Sequence, residues 1–378
     1  MEPAKRVQFA FSEEQEQFRE TVRRFLKEKS PTTAVRRLME TDTGYDPAVW
    51  SALSTELALP GVHIPEEYGG GGFGMVELCL ATEELGRALL CAPYFSTAVL
   101  AANTILNAGT GEQKSTLLPD LAAGARLATL AVTEPNGDWD PRAITTKAEK
   151  SNGGYRLTGT KSYVVDGHIT QLLIVAARLP DKSLALFITE GDAAGVTRRL
   201  LKTMDPTRKL AQLGFNDTPA QVLGAAGTGE AALIKTLDQA AVALANEMVG
   251  GAQALFDDTI GYVKMRVQFG RPIGSFQAIK HRCADLLTEI ELAKSTAYYA
   301  AQAAAIDDKE WPALASMAKA AAADAYLHAA IEAIQFHGGI GFTWDNDTHL
   351  WFKRAKSSEV FLGSPNYHRE LLMQRWGV

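Results

Sequence analysis

Three stretches of this chain hold residue types at spacings that could do chemistry: an acid in an apolar helix, an arginine-flanked turn and a run of glycines. Glu247 stands in AAVALANEMVGGAQALF, where nearly every neighbour is small or apolar. A buried carboxylate is costly unless paired, and burial moves it toward the range of a general base. It reads either as a proton acceptor or as a structural acid bonded to an Arg or Lys of a helical bundle. Arg266 and Arg271 flank Phe269-Gly270 in RVQFGRPIGSFQ. Their guanidinium forks suit a pyrophosphate, although an arginine at a helix end also simply complements the dipole. Gly338-Gly339-Ile340-Gly341 follows a helical pattern rather than a strand, which excludes a Rossmann fingerprint. What remains is a helix C-cap turn, or a turn whose backbone closely approaches a phosphate. Thr133-Glu134-Pro135-Asn136-Gly137 ends a strand pattern, as an ordinary turn or as a ligand contact. The histidines lack metal-binding spacing, no GxSxG elbow is present, and GTGEQK and TGTKS are not Walker loops.

The elements that must position these residues follow from the hydrophobic pattern. From about Ser12 to Ala123 the chain reads as helices, the first opened by Ser12 as N-cap with acids in its first turn. GVHIPEEYGGGGFG interrupts them as a loop. LATLAVTEP, GGYRLTGTKSYVVDG, QLLIVAARL and SLALFIT are short β-branched runs spaced as in an antiparallel sandwich or barrel. Helical patterns return at Gly229. A helix of roughly Ala240 to Met265 leads into the arginine turn, and two Ala-rich helices (about Ala278 to Ile306 and Glu310 to Phe336) follow it, able to pack closely as in a bundle. The expectation is a multi-domain α+β chain: an N-terminal helical domain (1–124), a central antiparallel β domain (125–228) and a C-terminal four-helix bundle (229–378).

A length of 378 residues exceeds what one core organises. A net charge of −6 without a basic stripe argues against nucleic acid or an anionic membrane as partner. No run approaches the roughly 20 apolar residues of a membrane span, and the N-terminus shows no signal-peptide core. Cys79, Cys91 and Cys283 are scattered and odd in number, as expected of reduced thiols in a cytoplasmic protein without a metal site.

Taken together, IPEEYGGGGFG, AVTEP, LTGTKSYVVDG, RVQFGRPIGSFQ and QFHGGIGF, in this order and over essentially the whole chain, resemble the acyl-CoA dehydrogenase family. The resemblance implies FAD as cofactor and α,β-dehydrogenation of an acyl-CoA thioester, a carboxylate taking the α proton while the β hydride moves to flavin N5. It also implies electron-transferring flavoprotein as acceptor, and dimers, paired into tetramers, that hold FAD between subunits. Carried across, Arg266, Phe269 and Gln277 would contact the diphosphate and adenosine side of FAD. Gln335, Gly338 and Gly339 would hold the pyrophosphate of a neighbouring subunit's FAD. Thr133 and Tyr163 would lie by the flavin ring, and Val165 replaces the hydroxyl residue usual after the aromatic.

The base departs from the family pattern. In Val360-Phe361-Leu362-Gly363-Ser364 the usual catalytic glutamate is Leu362, and the second position used by one branch falls on Ala240, followed by Ala241. Glu247 lies seven residues after Ala240, roughly 20° short of two turns and about 10 Å along the helix, so the two share a face. Glu247 is therefore the candidate base. The competing expectation is a catalytically incomplete subunit of a heterotetramer sharing FAD with a catalytic partner, as in branches that oxidise steroid side chains. Small residues at Ala240, Ala241, Gly250 and Gly251 would then leave room for a bulky acyl group. A flavin-binding scaffold without turnover is a third reading.

Overall fold

The structure, a computed structural model, describes residues 10–225 and 227–378, so the leader reading lies in part, at residues 1–9, outside the described residues. The chain folds as two compact units.

One unit comprises Arg36–Gly74 and Cys91–Ala240. It holds the second half of helix α2 (Thr32–Met39), then α3 (Pro47–Thr55), α5 (Asn103–Ala108), α6 (Gly111–Ala122) and strands β1 (Ala128–Ala131), β2 (Lys147–Ser151), β3 (Gly154–Val165), β4 (Leu172–Arg178), β5 (Leu184–Glu190), β6 (Val196–Leu200) and β7 (Leu210–Leu223). Pairings β4–β5, β5–β7, β7–β3, β3–β2 and β2–β4 close a ring, with β1 beside β4 and β6 beside β7. Inside it pack Leu157, Val164, Leu173, Val175, Phe187, Leu213 and Phe215. The expected antiparallel order holds for most pairs, but β1 runs parallel to β4, register Ala128↔Leu172 to Ala131↔Val175. LLIVAAR in β4 is buried at six consecutive positions, the mark of a strand covered on both faces. Phe95–Ala102 coils as a π-helix that continues into α5.

The other unit comprises the described residues up to Val35, Met75–Leu90 and Ala241–Val378. Its helices are α1 (Glu13–Lys29), α4 (Met75–Arg87), the later part of α7 (Gly229–Met265), α8 (Gln277–Ala305), α9 (Trp311–His337), α10 (Thr348–Val360) and α11 (Pro365–Arg375). Ser12 caps α1, as expected, and Gln15 completes a capping box. The Ala-rich α9 is buried on most of its surface, so short side chains let its neighbours approach from several sides. Among the described residues no helix is long and apolar enough to cross a membrane.

Candidate active site

At one end of the bundle two sequence motifs meet. The last turn of α7 carries Tyr262, whose ring stacks on His337, the last residue of α9, at 4.1 Å between centroids. Arg266 follows α7, its N–H donating to the Tyr262 carbonyl at 2.8 Å. The chain then makes a hairpin of β8 (Val267–Gln268) and β9 (Arg271–Pro272). Its two loop residues, Phe269 (φ 55°) and Gly270 (φ 77°), are both left-handed, as a tight primed turn requires. A phenylalanine pays steric strain there, and Phe269 is also 91% exposed. Strain and an exposed ring together mark a position kept for a ligand or a partner. Arg271 lies over the Phe276 ring, its Cζ 4.1 Å from the centroid. Gln277 opens α8, exposed.

Across the stack, α9 ends in a C-cap: the Gly338 N–H donates to the Gln335 and Ile334 carbonyls, with φ 62° at Gly338. The helix-cap reading of the glycines is thus correct. Both Gly338 and Gly339 nevertheless face open space, with nothing within 4 Å of where a Cβ would stand. An open glycine turn beside an exposed arginine and an exposed aromatic fits a dinucleotide: backbone for phosphate, guanidinium for charge, ring for ring. The structure therefore brings Arg266, Phe269, Gln335, Gly338 and Gly339 to one end of the bundle.

Thr133 and Tyr163 lie in the other unit and are joined through Ser162. The Ser162 N–H donates to the Thr133 carbonyl at 2.9 Å, and Thr133 Oγ1 donates to the Ser162 carbonyl at 2.6 Å. Tyr163 sits at a register shift in β3, left-handed (φ 59°) and 42% exposed. Val165 is buried, and its carbonyl accepts from Thr129 Oγ1.

Glu247 is buried, as its apolar surroundings predict, and paired: its Oε1 lies 3.2 Å from Nη1 of the buried Arg354 on α10. Sequence reasoning missed Arg354, since nothing local links residues 107 positions apart. Ala240 is fully buried. Leu362 is buried and left-handed (φ 61°) in a turn that is pinned at several carbonyls. The Lys319 ammonium donates to the Ser358, Glu359 and Gly363 carbonyls at 2.8–3.1 Å, and His368 Nε2 lies 2.9 Å from the Leu362 carbonyl. The room expected at Gly250 and Gly251 is taken. A Cβ on Gly250 would come within 1.9 Å of the Glu83 carbonyl of α4, and one on Gly251 within 2.6 Å of the Tyr326 ring of α9. These glycines serve close packing instead.

The helical, β and helical order of elements is that of a known class of oxidoreductases. Family models for the N-terminal, middle and C-terminal domains of acyl-CoA dehydrogenase match residues 12–125, 129–218 and 227–377, and the chain belongs to the acyl-CoA dehydrogenase family. It is 36% identical to acyl-CoA dehydrogenase IpdE2 of Mycobacterium tuberculosis over 95% of each chain. Among solved structures it resembles the Tcur3481-Tcur3483 steroid ACAD (32% identity, TM-score 0.88, 97% of this chain and 98% of that one). It also resembles the ChsE4-ChsE5 complex of Mycobacterium tuberculosis (25% identity, TM-score 0.89, 98% and 99%). The chain is accordingly an oxidoreductase of an FAD flavoprotein family, and one solved structure it resembles is that of a steroid ACAD.

Proposed function

We propose that this chain carries out FAD-dependent α,β-dehydrogenation of a bulky, steroid-derived acyl-CoA in the cytoplasm, assembled with a second acyl-CoA dehydrogenase subunit and passing electrons to an electron-transferring flavoprotein. The observation that carries this reading is the junction at the bundle end, where the Tyr262–His337 stack sets the Arg266 hairpin beside the open Gly338-Gly339 turn. Arg266 would neutralise the diphosphate of a neighbouring subunit's FAD, Phe269 and Gln277 would meet its adenosine side, and Gln335, Gly338 and Gly339 would take its pyrophosphate. Thr133 and Tyr163 would border the flavin ring. Bound FAD supplies the acceptor for the β hydride.

We assign Glu247 as the base that removes the α proton, since Leu362 and Ala240 carry no acid. Arg354 holds that carboxylate in place and offsets its burial. The C–H electron pair at the α carbon becomes the new double bond as hydrogen leaves the β carbon with its own pair. The steroid class and the second subunit rest on the relatives named above.

The same ion pair favours a second reading: Glu247 is already engaged, so an unlike subunit would supply the proton acceptor. Anaerobic bleaching of the bound flavin by a steroid-side-chain acyl-CoA separates the two. Glu247→Gln, with FAD content unchanged, slows bleaching by about 10²–10⁴-fold if Glu247 is the base. Bleaching at the parental rate assigns the base to the partner.

A further inference from the structure

The sheet unit contains a buried ion pair that the reaction does not use. Lys161, on β3, is completely buried, and its Nζ donates to the Val132 carbonyl at 2.8 Å and to Glu134 Oε1 at 3.0 Å. Glu134 also accepts from the backbone N–H and the hydroxyl of both Thr145 and Thr146, at 2.5–2.9 Å. Burial opposes ionisation of Glu134, but Lys161 and the threonines outweigh it and hold the carboxyl at about 2. Burial lowers the Lys161 ammonium to about 8, against the pull of Glu134.

A buried pair of this kind is weak evidence for stability, because well-packed apolar side chains often do as well. What it positions is more informative. Val132 and Glu134 are the two neighbours of Thr133, so one ammonium brackets that residue on both sides. Lys161 is likewise two residues before Tyr163. In a regular strand those two side chains would share a face, yet Lys161 is buried and Tyr163 exposed. The left-handed turn at Tyr163 and the register shift between Lys161 and Val164 re-aim the ring outward.

We propose that Lys161 and Glu134 are positioning residues that fix Thr133 and the out-turned Tyr163 relative to one another as the wall against which the flavin ring rests. The inference depends on the flavin assignment made above for Thr133 and Tyr163. Its test uses full-length protein reconstituted with FAD. Lys161→Met and Glu134→Gln are compared with the parent by the visible band of the bound flavin, its midpoint potential, and kcat and KM for acyl-CoA. The expected result is a shifted band and potential with kcat down about tenfold or more, as displacement of a reacting group by a fraction of an ångström would give, and KM little changed. Folded, FAD-loaded variants with parental spectrum, potential and kcat overturn the proposal and leave the pair a purely structural element. Should both variants aggregate, Thr145→Val decides: it removes one of five donors to Glu134 while leaving Lys161 in place, so a band displaced from the parent's supports the proposal and a parental band overturns it. A parent that takes up no FAD overturns the flavin assignment itself, and is seen before any variant is made.

Discussion

Glu247 and Glu134 are both acidic side chains withdrawn from water, and each meets a buried cation. At Glu247 the partner is Arg354, from another helix. At Glu134 it is Lys161 with four threonine donors. The second arrangement has a consequence for acid stability. Glu134 has a folded value of about 2 against an ordinary 4.5, so the unfolded chain binds more protons between these values. Stability from this group is complete above about pH 4.5 and is lost as pH falls toward 2. Urea unfolding at a series of pH values in that window shows a shallower loss in Glu134→Gln than in the parent; parallel slopes would contradict the assignment. Glu247 could be found in the sequence because an acid amid alanines and leucines is conspicuous. Arg354, Lys161 and Lys319 could not, since a long basic side chain reads as surface until the fold shows it enclosed. The GTK stretch did reveal that a lysine precedes the aromatic, but not that its ammonium lies in the core.

At the scale of elements, the contact of α4 with α7 depends on missing side chains. Gly86 on α4 meets the Glu247 carbonyl at 2.0 Å from a would-be Cβ, and Gly250 on α7 meets the Glu83 carbonyl at 1.9 Å. Thr82 Oγ1 adds a bond to the Ala243 carbonyl at 3.0 Å. Both obstructions are backbone, which cannot swing away, so Gly86→Ala forces the helices apart. It is expected to destabilise the protein by about 1–3 kcal/mol or more, whereas Gly261→Ala, facing open space on the same α7, is expected to be neutral or slightly stabilising. Equal midpoints of denaturation for the two would sink this account. Reading Gly250 and Gly251 as room for substrate failed for a physical reason: a glycine in a helix is compatible with empty space and with a close crossing, and only the neighbouring helix decides. The helices themselves were legible from 3.6-residue periodicity and capping, as at Ser12. The parallel β1–β4 pair was not, because alternation fixes which face a residue takes and not which strand it joins.

For the whole molecule, the helical, β and helical order was readable because texture changes sharply where β-branched runs begin and where Ala-rich periodicity returns. The five family stretches made the order specific. Substrate and subunit composition were not readable, since they depend on surface shape rather than on local residue spacing. The central claim is that the turns at the bundle end exist to hold FAD. Gly339 tests it directly: its backbone is not left-handed and a Cβ there meets nothing, so Gly339→Ala leaves the fold intact. Bound FAD would occupy that space, and a methyl group intruding on it costs about 1–3 kcal/mol, about ten- to a hundredfold in Kd. The decisive measurement is an equilibrium titration of parental and Gly339→Ala apoprotein with FAD, each alone and with the proposed second subunit. Tight binding by the parent and this weakening in a variant of unchanged Tm are expected; no FAD uptake by the parent, or equal affinity in both, would contradict a flavin-holding role for these turns.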